Sequence, residues 1–230
     1  MSIPLETVVR WSALAACTAV LAMIGIFLAL GVGQDPLQFM HPPEEYARLL
    51  LANPAALRAT IGLDNMFVVL YATLFLAVGT LLARAGAPLG LVWVAVGLLE
   101  AVALLDFAEN FHFLVMLARA EQGQLPAQAE IGLQVFESLL KFHVSYLGLF
   151  LLGLALPRRT LRERALSNLA LFVQVPVGVS IYVMPRAVAE PLVFARFTFF
   201  VASLVLIAGI FGRARQEQPA LAAAGSDARA

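Results

Sequence analysis

Apolar residues in this chain run in blocks too long and too uninterrupted for the interior of a water-soluble domain. They occupy residues 11–33, 63–83, 88–110, 131–156, 166–184 and 192–211. Each block approaches or exceeds the roughly 20 residues that carry a helix across about 30 Å of hydrocarbon. The third continues as helix-compatible sequence to Arg119. That makes a rod of about 48 Å, longer than the hydrocarbon, so this helix is expected to tilt, kink or project into water. The pattern predicts an all-α, polytopic transmembrane bundle of about six spans filling residues 1–215, with no room for a separate soluble domain.

The connections carry their own signals. Residues 34–62 form a long outer loop in which Pro42 and Pro43 precede Glu44 and Glu45, the pattern of a helix start, so a short surface helix is expected there. It would cap the mouth of the bundle or rest in the lipid interface. Residues 84–88 and 185–191 read as short turns, 119–130 as a polar stretch and 157–164 as a basic turn. The Ala-, Gln- and Gly-rich residues 216–230 are expected to form a disordered cytoplasmic tail. No internal repeat is visible.

The arginines orient this bundle. Arg10, Arg84, Arg158, Arg159, Arg162, Arg164, Arg213, Arg215 and Arg229 fall on one side of the six spans, and Arg48, Arg58, Arg119, Arg186 and Arg196 on the other. By the positive-inside rule the richer side is cytoplasmic, and an even span count puts both termini there. Gly31 and Gly33 leave a cleaved signal peptide as a competing reading of the first block. Its length, and the offset of Arg10 by Glu6, favour a retained span.

Composition narrows the function classes. Hydrophobic residues make up 61% and charged residues 13%, against roughly 25% charged in soluble domains. The formal net charge is zero, so no global field recruits nucleic acid. The single cysteine, Cys17, excludes an intrachain disulfide or a zinc site built on several thiolates. Fourteen arginines against one lysine resemble the codon preference of a GC-rich bacterial genome, which implies a bacterial inner membrane.

The chemistry lies in polar residues inside the spans, where each charge costs about 2.5–3.5 kcal/mol unless it has a partner or a purpose. The second span carries Asp64, Asn65 and Tyr71. The third carries Glu100, Asp106, Glu109, Asn110 and His112, and the fourth Glu137, Lys141, His143, Ser145 and Tyr146. Counted at 1.5 Å per residue, Glu100 and Lys141 reach similar mid-bilayer heights, which makes a pair between them plausible. Asp106, Glu109 and Asn110 share one helical face, with Glu100 half a turn away. Glu137 and Lys141, at i,i+4, are placed to neutralise each other.

Structural explanations stand beside each of these. Asp64 and Asn65 suit a helix cap, and Asp106, Glu109 and His112 suit a solvated helix end. Glu109 and His112 form a Glu-x-x-His pair, of which binuclear iron bundles use two. With only one pair present, they are weak metal candidates, and a haem between His112 and His143 needs them at one depth. No phosphate loop, nucleophile elbow or nucleotide fingerprint occurs. Gln174 and Pro176 suggest a kink in the fifth span, while Arg196 either snorkels to the outer interface or approaches the acidic cluster.

The reading these residues favour is a polar pocket in spans two to four, open outward, that binds a small ligand, an ion or a lipid head group, with transport as one use. The candidates are Asp64, Asn65, Tyr71, Glu100, Asp106, Glu109, Asn110, His112, Glu137 and Lys141. A membrane-embedded enzyme with Glu109 or Asp106 as base beside His112, and a structural or assembly subunit, are the alternatives. The sequence assigns no cofactor.

Overall fold

In the computed structural model, which describes residues 3–211 apart from the side chain of Arg186, every regular element is helical. The helices are α1 (Leu5–Leu30), α2 (Pro43–Leu51), α3 (Pro54–Arg84), α4 (Leu89–Glu121), α5 (Gln128–Ala155), α6 (Leu161–Asn168), α7 (Gln174–Val183) and α8 (Arg186–Phe211). A π-helical turn, Leu169–Val173, joins α6 to α7, and a 3-10 turn, Asp35–Gln38, follows α1. Six units are long and apolar enough to cross a membrane: α1, α3, α4, α5, the continuous α6–α7 rod and α8. The chain is a multi-pass membrane protein. The expected cytoplasmic tail lies outside the described residues.

Up-and-down connectivity places the turns at 85–88 and 156–160 on one face with the ends of α1 and α8, here the terminal face. The segments at 31–53, 122–127 and 184–185 lie on the other, the loop face. Close contacts through small residues seat the central helices. A Cβ at Gly148 would lie 2.9 Å from Leu99 Cγ, so α4 and α5 approach only because α5 has no side chain there.

Boundaries move where local chemistry outweighs hydropathy. The second span begins at Pro54 rather than 63, because the Asn53 side chain accepts a hydrogen bond from the Ala56 amide at 3.1 Å and Pro54 supplies the preset first turn. Asp64 and Asn65 therefore sit about three turns inside the helix and are not its cap. The turn expected over 185–191 contracts, with Pro191 absorbed into α8. The over-long α4 runs on past its apolar block to Glu121. Its end, with Phe113, Met116 and Leu117, packs against Tyr46 and Leu50 of α2 and Leu57 of α3 in an apolar cluster on the loop face.

A second, larger cluster fills the terminal half, among Val9, Leu74, Val92, Leu99, Leu204 and Ile207. Buried residues of α1 stop at Val20. In α8 the closely packed apolar residues, Leu204, Ile207 and Ala208, also lie toward the terminal face. The two helices hold together there and part toward the loop face. The π turn has a local cause: Pro176 has no N–H for the Phe172 carbonyl, so the ladder slips and turns Gln174 inward, where it is buried.

Tyr46 ties the loop to the bundle. Its hydroxyl lies 3.0 Å from the Leu37 carbonyl and 2.8 Å from Gln134 Oε1, and burial, reinforced by Glu109, Glu130 and Glu137, raises its pKa. Tyr46→Phe leaves both acceptors buried without this donor. It is expected to cost about 1–3 kcal/mol, read as a lower midpoint in thermal unfolding of detergent-solubilised protein.

Candidate functional site

The sites of α3, α4 and α5 are built by periodicity. Asp106, Glu109 and Asn110 lie on the buried face of α4, and Gln134, Ser138 and Lys141, at i, i+4 and i+7, lie on the facing side of α5. Lys141 Nζ donates to Asp106 Oδ1 at 2.7 Å and to Glu109 Oε2. Glu109 is completely buried, and its other oxygen accepts from the Ser138 hydroxyl. Asp106 Oδ2 accepts from the Tyr71 hydroxyl at 2.5 Å. One ammonium thus serves two carboxylates, each completed by a hydroxyl, which is how ionised groups persist in a low-dielectric interior.

A second chain of bonds runs beside it. Asn110, fully buried, donates to Asp64 Oδ2 at 2.7 Å and to Asn65 Oδ1 at 2.9 Å, and its Oδ1 accepts from Gln34 Nε2 at 2.8 Å. Every polar hydrogen of the Asn110 amide is used. His112 turns away from this interior. Its Nδ1 lies 2.9 Å from Glu137 Oε2 and its Nε2 3.9 Å from Glu130 Oε1, forming a separate cluster between α4 and α5.

Two expected pairings do not form. Glu137 does not neutralise Lys141, because the α4 carboxylates meet the lysine while His112 takes Glu137. Glu100 does not pair with Lys141 either. It is half-buried, and among the described residues its Oε1 has no hydrogen-bond partner. Replacing it by leucine removes a carboxylate that gains little in the fold, so Glu100→Leu is expected to leave the thermal midpoint unchanged or higher. The metal candidates part company too: Glu109 is bound to Lys141 and Ser138, His112 to Glu137. Among the described residues no group of three His, Cys, Asp or Glu side chains is placed to hold a metal ion.

The charged wall borders a cavity of about 480 Å³ between α1, α3, α4, α5, α7, α8 and the loop, within the roughly 300–1,000 Å³ of small-molecule sites. Of the ten candidates, Asp64, Tyr71, Asp106 and Lys141 line it. Asn65, Glu109 and Asn110 support these from behind, and Glu100, His112 and Glu137 lie elsewhere. No family model, curated protein or solved structure matches the chain.

Several of its residues have no signal in hydropathy. Arg196 is buried, not snorkelled; its Nη2 lies 3.2 Å from Asp35 Oδ1 and its guanidinium carbon 3.8 Å from the centre of the Phe142 ring. Among the described residues, Gln174 Nε2 is buried without a hydrogen-bond partner. Burial pushes the pKa of Asp35 up, against the lowering pull of Arg196 and Lys141. Gln134 and Ser138 were findable from their i, i+4, i+7 spacing with Lys141. Gln34 and Asp35 were not, because loop residues reveal their inward turn only in three dimensions.

Proposed function

We propose that this protein is a membrane-embedded binding protein that takes a small organic ligand into the cavity between its helices, with transport across the bilayer as the activity this arrangement serves. The supporting observation is the meeting of a 480 Å³ chamber with ionisable side chains contributed by three helices, Asp64, Asp106 and Lys141. A bundle that used charge only to glue helices would close over the pairs and leave no space beside them. Here Asp64, Asp106 and Lys141 each keep one side on a chamber.

In this reading the loop face points out of the cell and both termini lie in the cytoplasm of a bacterium. The excess of arginines on the terminal face supports that orientation. Gln34 and Asp35 then stand at the outer entrance, with Gln174 opposite the ion pairs at the far end of the chamber.

Native mass spectrometry of the intact protein released gently from its own membrane tests the proposal. The wild type is expected to carry a small-molecule adduct that Ser145→Trp lacks, since Ser145 lines the chamber and an indole there takes up its space. An identical adduct spectrum for both proteins would count against a ligand in this space.

A further inference from the structure

The charge and ring chemistry of the chamber identify the class of molecule it suits. Asp64, Asp106 and Glu109 face a single ammonium, Lys141, so with all four ionised the cluster has two more negative than positive charges. Across the chamber Arg196 is balanced by Asp35. The side chains that line the chamber include four acids, Asp35, Asp64, Asp106 and Glu190, against two bases, Lys141 and Arg196, so when ionised the lining carries excess negative charge. Asp64 is buried, and among the described residues its one hydrogen-bond donor is a neutral amide.

Next to these carboxylates is a patch of aromatic rings. Phe67 lies 5.1 Å from Tyr71 and 5.6 Å from Phe200, centre to centre, and Tyr71 lies 6.0 Å from Phe75. All four rings line the cavity, and Tyr71 is hydrogen-bonded to Asp106. Aromatic faces beside a carboxylate are the surroundings that stabilise a poorly hydrated organic cation, through ring quadrupole and opposite charge together. A hydrated metal ion gains little from such walls, and an anion meets the wrong sign.

The rim adds a preference for apolar bulk. Phe27, Leu28 and Phe194 line the cavity where α1 and α8 part, and they are 44%, 73% and 62% exposed, on the side of the bundle that faces lipid. An independent sign of unmet recognition is Gln174, more than nine-tenths buried and lining the cavity with an amide nitrogen that has no partner among the described residues.

We propose that the ligand is a hydrophobic organic cation, held with its charge against Asp64 and Asp106 and its apolar groups among Phe67, Tyr71, Phe75 and Phe200. This rests on the cavity being a ligand site, and it adds the sign and character of the ligand. The structure offers Asp64 as the carboxylate that meets the ligand's charge and Lys141 as the group that holds Asp106 in place.

Two probes of nearly equal shape and opposite charge separate the outcomes: tetraphenylphosphonium and tetraphenylborate, measured by equilibrium dialysis against the full chain in neutral detergent. Saturable binding of tetraphenylphosphonium is expected, with at least tenfold weaker binding of tetraphenylborate. Asp64→Asn, which keeps shape and hydrogen-bonding capacity, should weaken tetraphenylphosphonium at least tenfold. Ser145→Trp should abolish it, and each variant is first shown to elute as a single folded species. Tighter binding of tetraphenylborate, lost in Arg196→Gln, would overturn the cation assignment while leaving the cavity a ligand site. Failure of both probes alongside a Ser145-dependent adduct in native mass spectrometry also overturns it alone; failure of both together with an absent adduct removes the binding reading as well.

Discussion

Lys141→Met is expected to be the most damaging single substitution in the protein. The methionine matches the stem of the lysine, so packing changes little, but Asp106 and Glu109 lose the ammonium that both contact. Removing one member of a buried ionic group costs about 3–5 kcal/mol, because the remaining charges are left without compensation. Two carboxylates then face each other, and the upper end of that range applies. The expected readout is an apparent melting temperature lower by on the order of 10 °C in detergent, with reduced yield of folded protein. Adding Glu109→Gln should recover part of the loss, because the amide still accepts from Ser138 while one stranded charge disappears. A double variant no more stable than Lys141→Met would show that Glu109 and Lys141 are not coupled as described.

Gly178→Ala is expected to have the second-largest effect, by a different mechanism. Gly178 lies on α7 directly against the ring of Tyr146, and a Cβ there would fall inside the van der Waals envelope of three ring carbons. The aromatic ring is held by its neighbours: Phe142 stacks at 6.4 Å, and His143 meets it edge-on at 5.9 Å. Overpacking of this kind costs about 1–3 kcal/mol. Relief requires Tyr146 to move, and Tyr146 lines the cavity beside Phe142, on which Arg196 stacks. The substitution should therefore lower the thermal midpoint and also weaken any ligand of the chamber. Gly148→Ala, which meets Leu99 at the α4–α5 contact, is the comparison that lowers stability without moving Tyr146.

The six crossings were legible because hydrocarbon permits few alternatives: an apolar block of sufficient length has to be a helix. The choice of partners was much less so. Helix spacing correctly put Asp106, Glu109 and Asn110 on one face, with Glu100 turned from it. It also offered Glu137 to Lys141 at i,i+4, and the fold overruled that offer because α4 brings two carboxylates to the lysine and a histidine to Glu137. A local pairing rule cannot anticipate a competitor on another helix. The start of α3 shows the converse, since Asn53 and Pro54 were readable as a cap but lay outside the apolar block that hydropathy marks.

Arg196 illustrates the limit most clearly. By sequence it sits near the end of a span, where an arginine ordinarily reaches for water. Its burial depends on Asp35, more than 160 positions away, and on the Phe142 ring, neither of which any pattern local to α8 reveals. The cavity itself arises from the divergence of α1 and α8 and from the slip in the fifth span before Pro176. Of these, only the proline is announced by the sequence.

Thiol accessibility at the cavity wall tests the central claim most directly. With Cys17 replaced by alanine, Ser145→Cys places a single thiol on the chamber lining. A small, charged, membrane-impermeant methanethiosulfonate reagent added to the loop-face side of the folded protein in vesicles should modify it, and Ser145→Cys combined with a bulky residue at Gln34 should react more slowly. A thiol that reacts only after unfolding in dodecyl sulfate would mean that the space beside Asp64, Asp106 and Lys141 is sealed and dry, and the binding account would be contradicted.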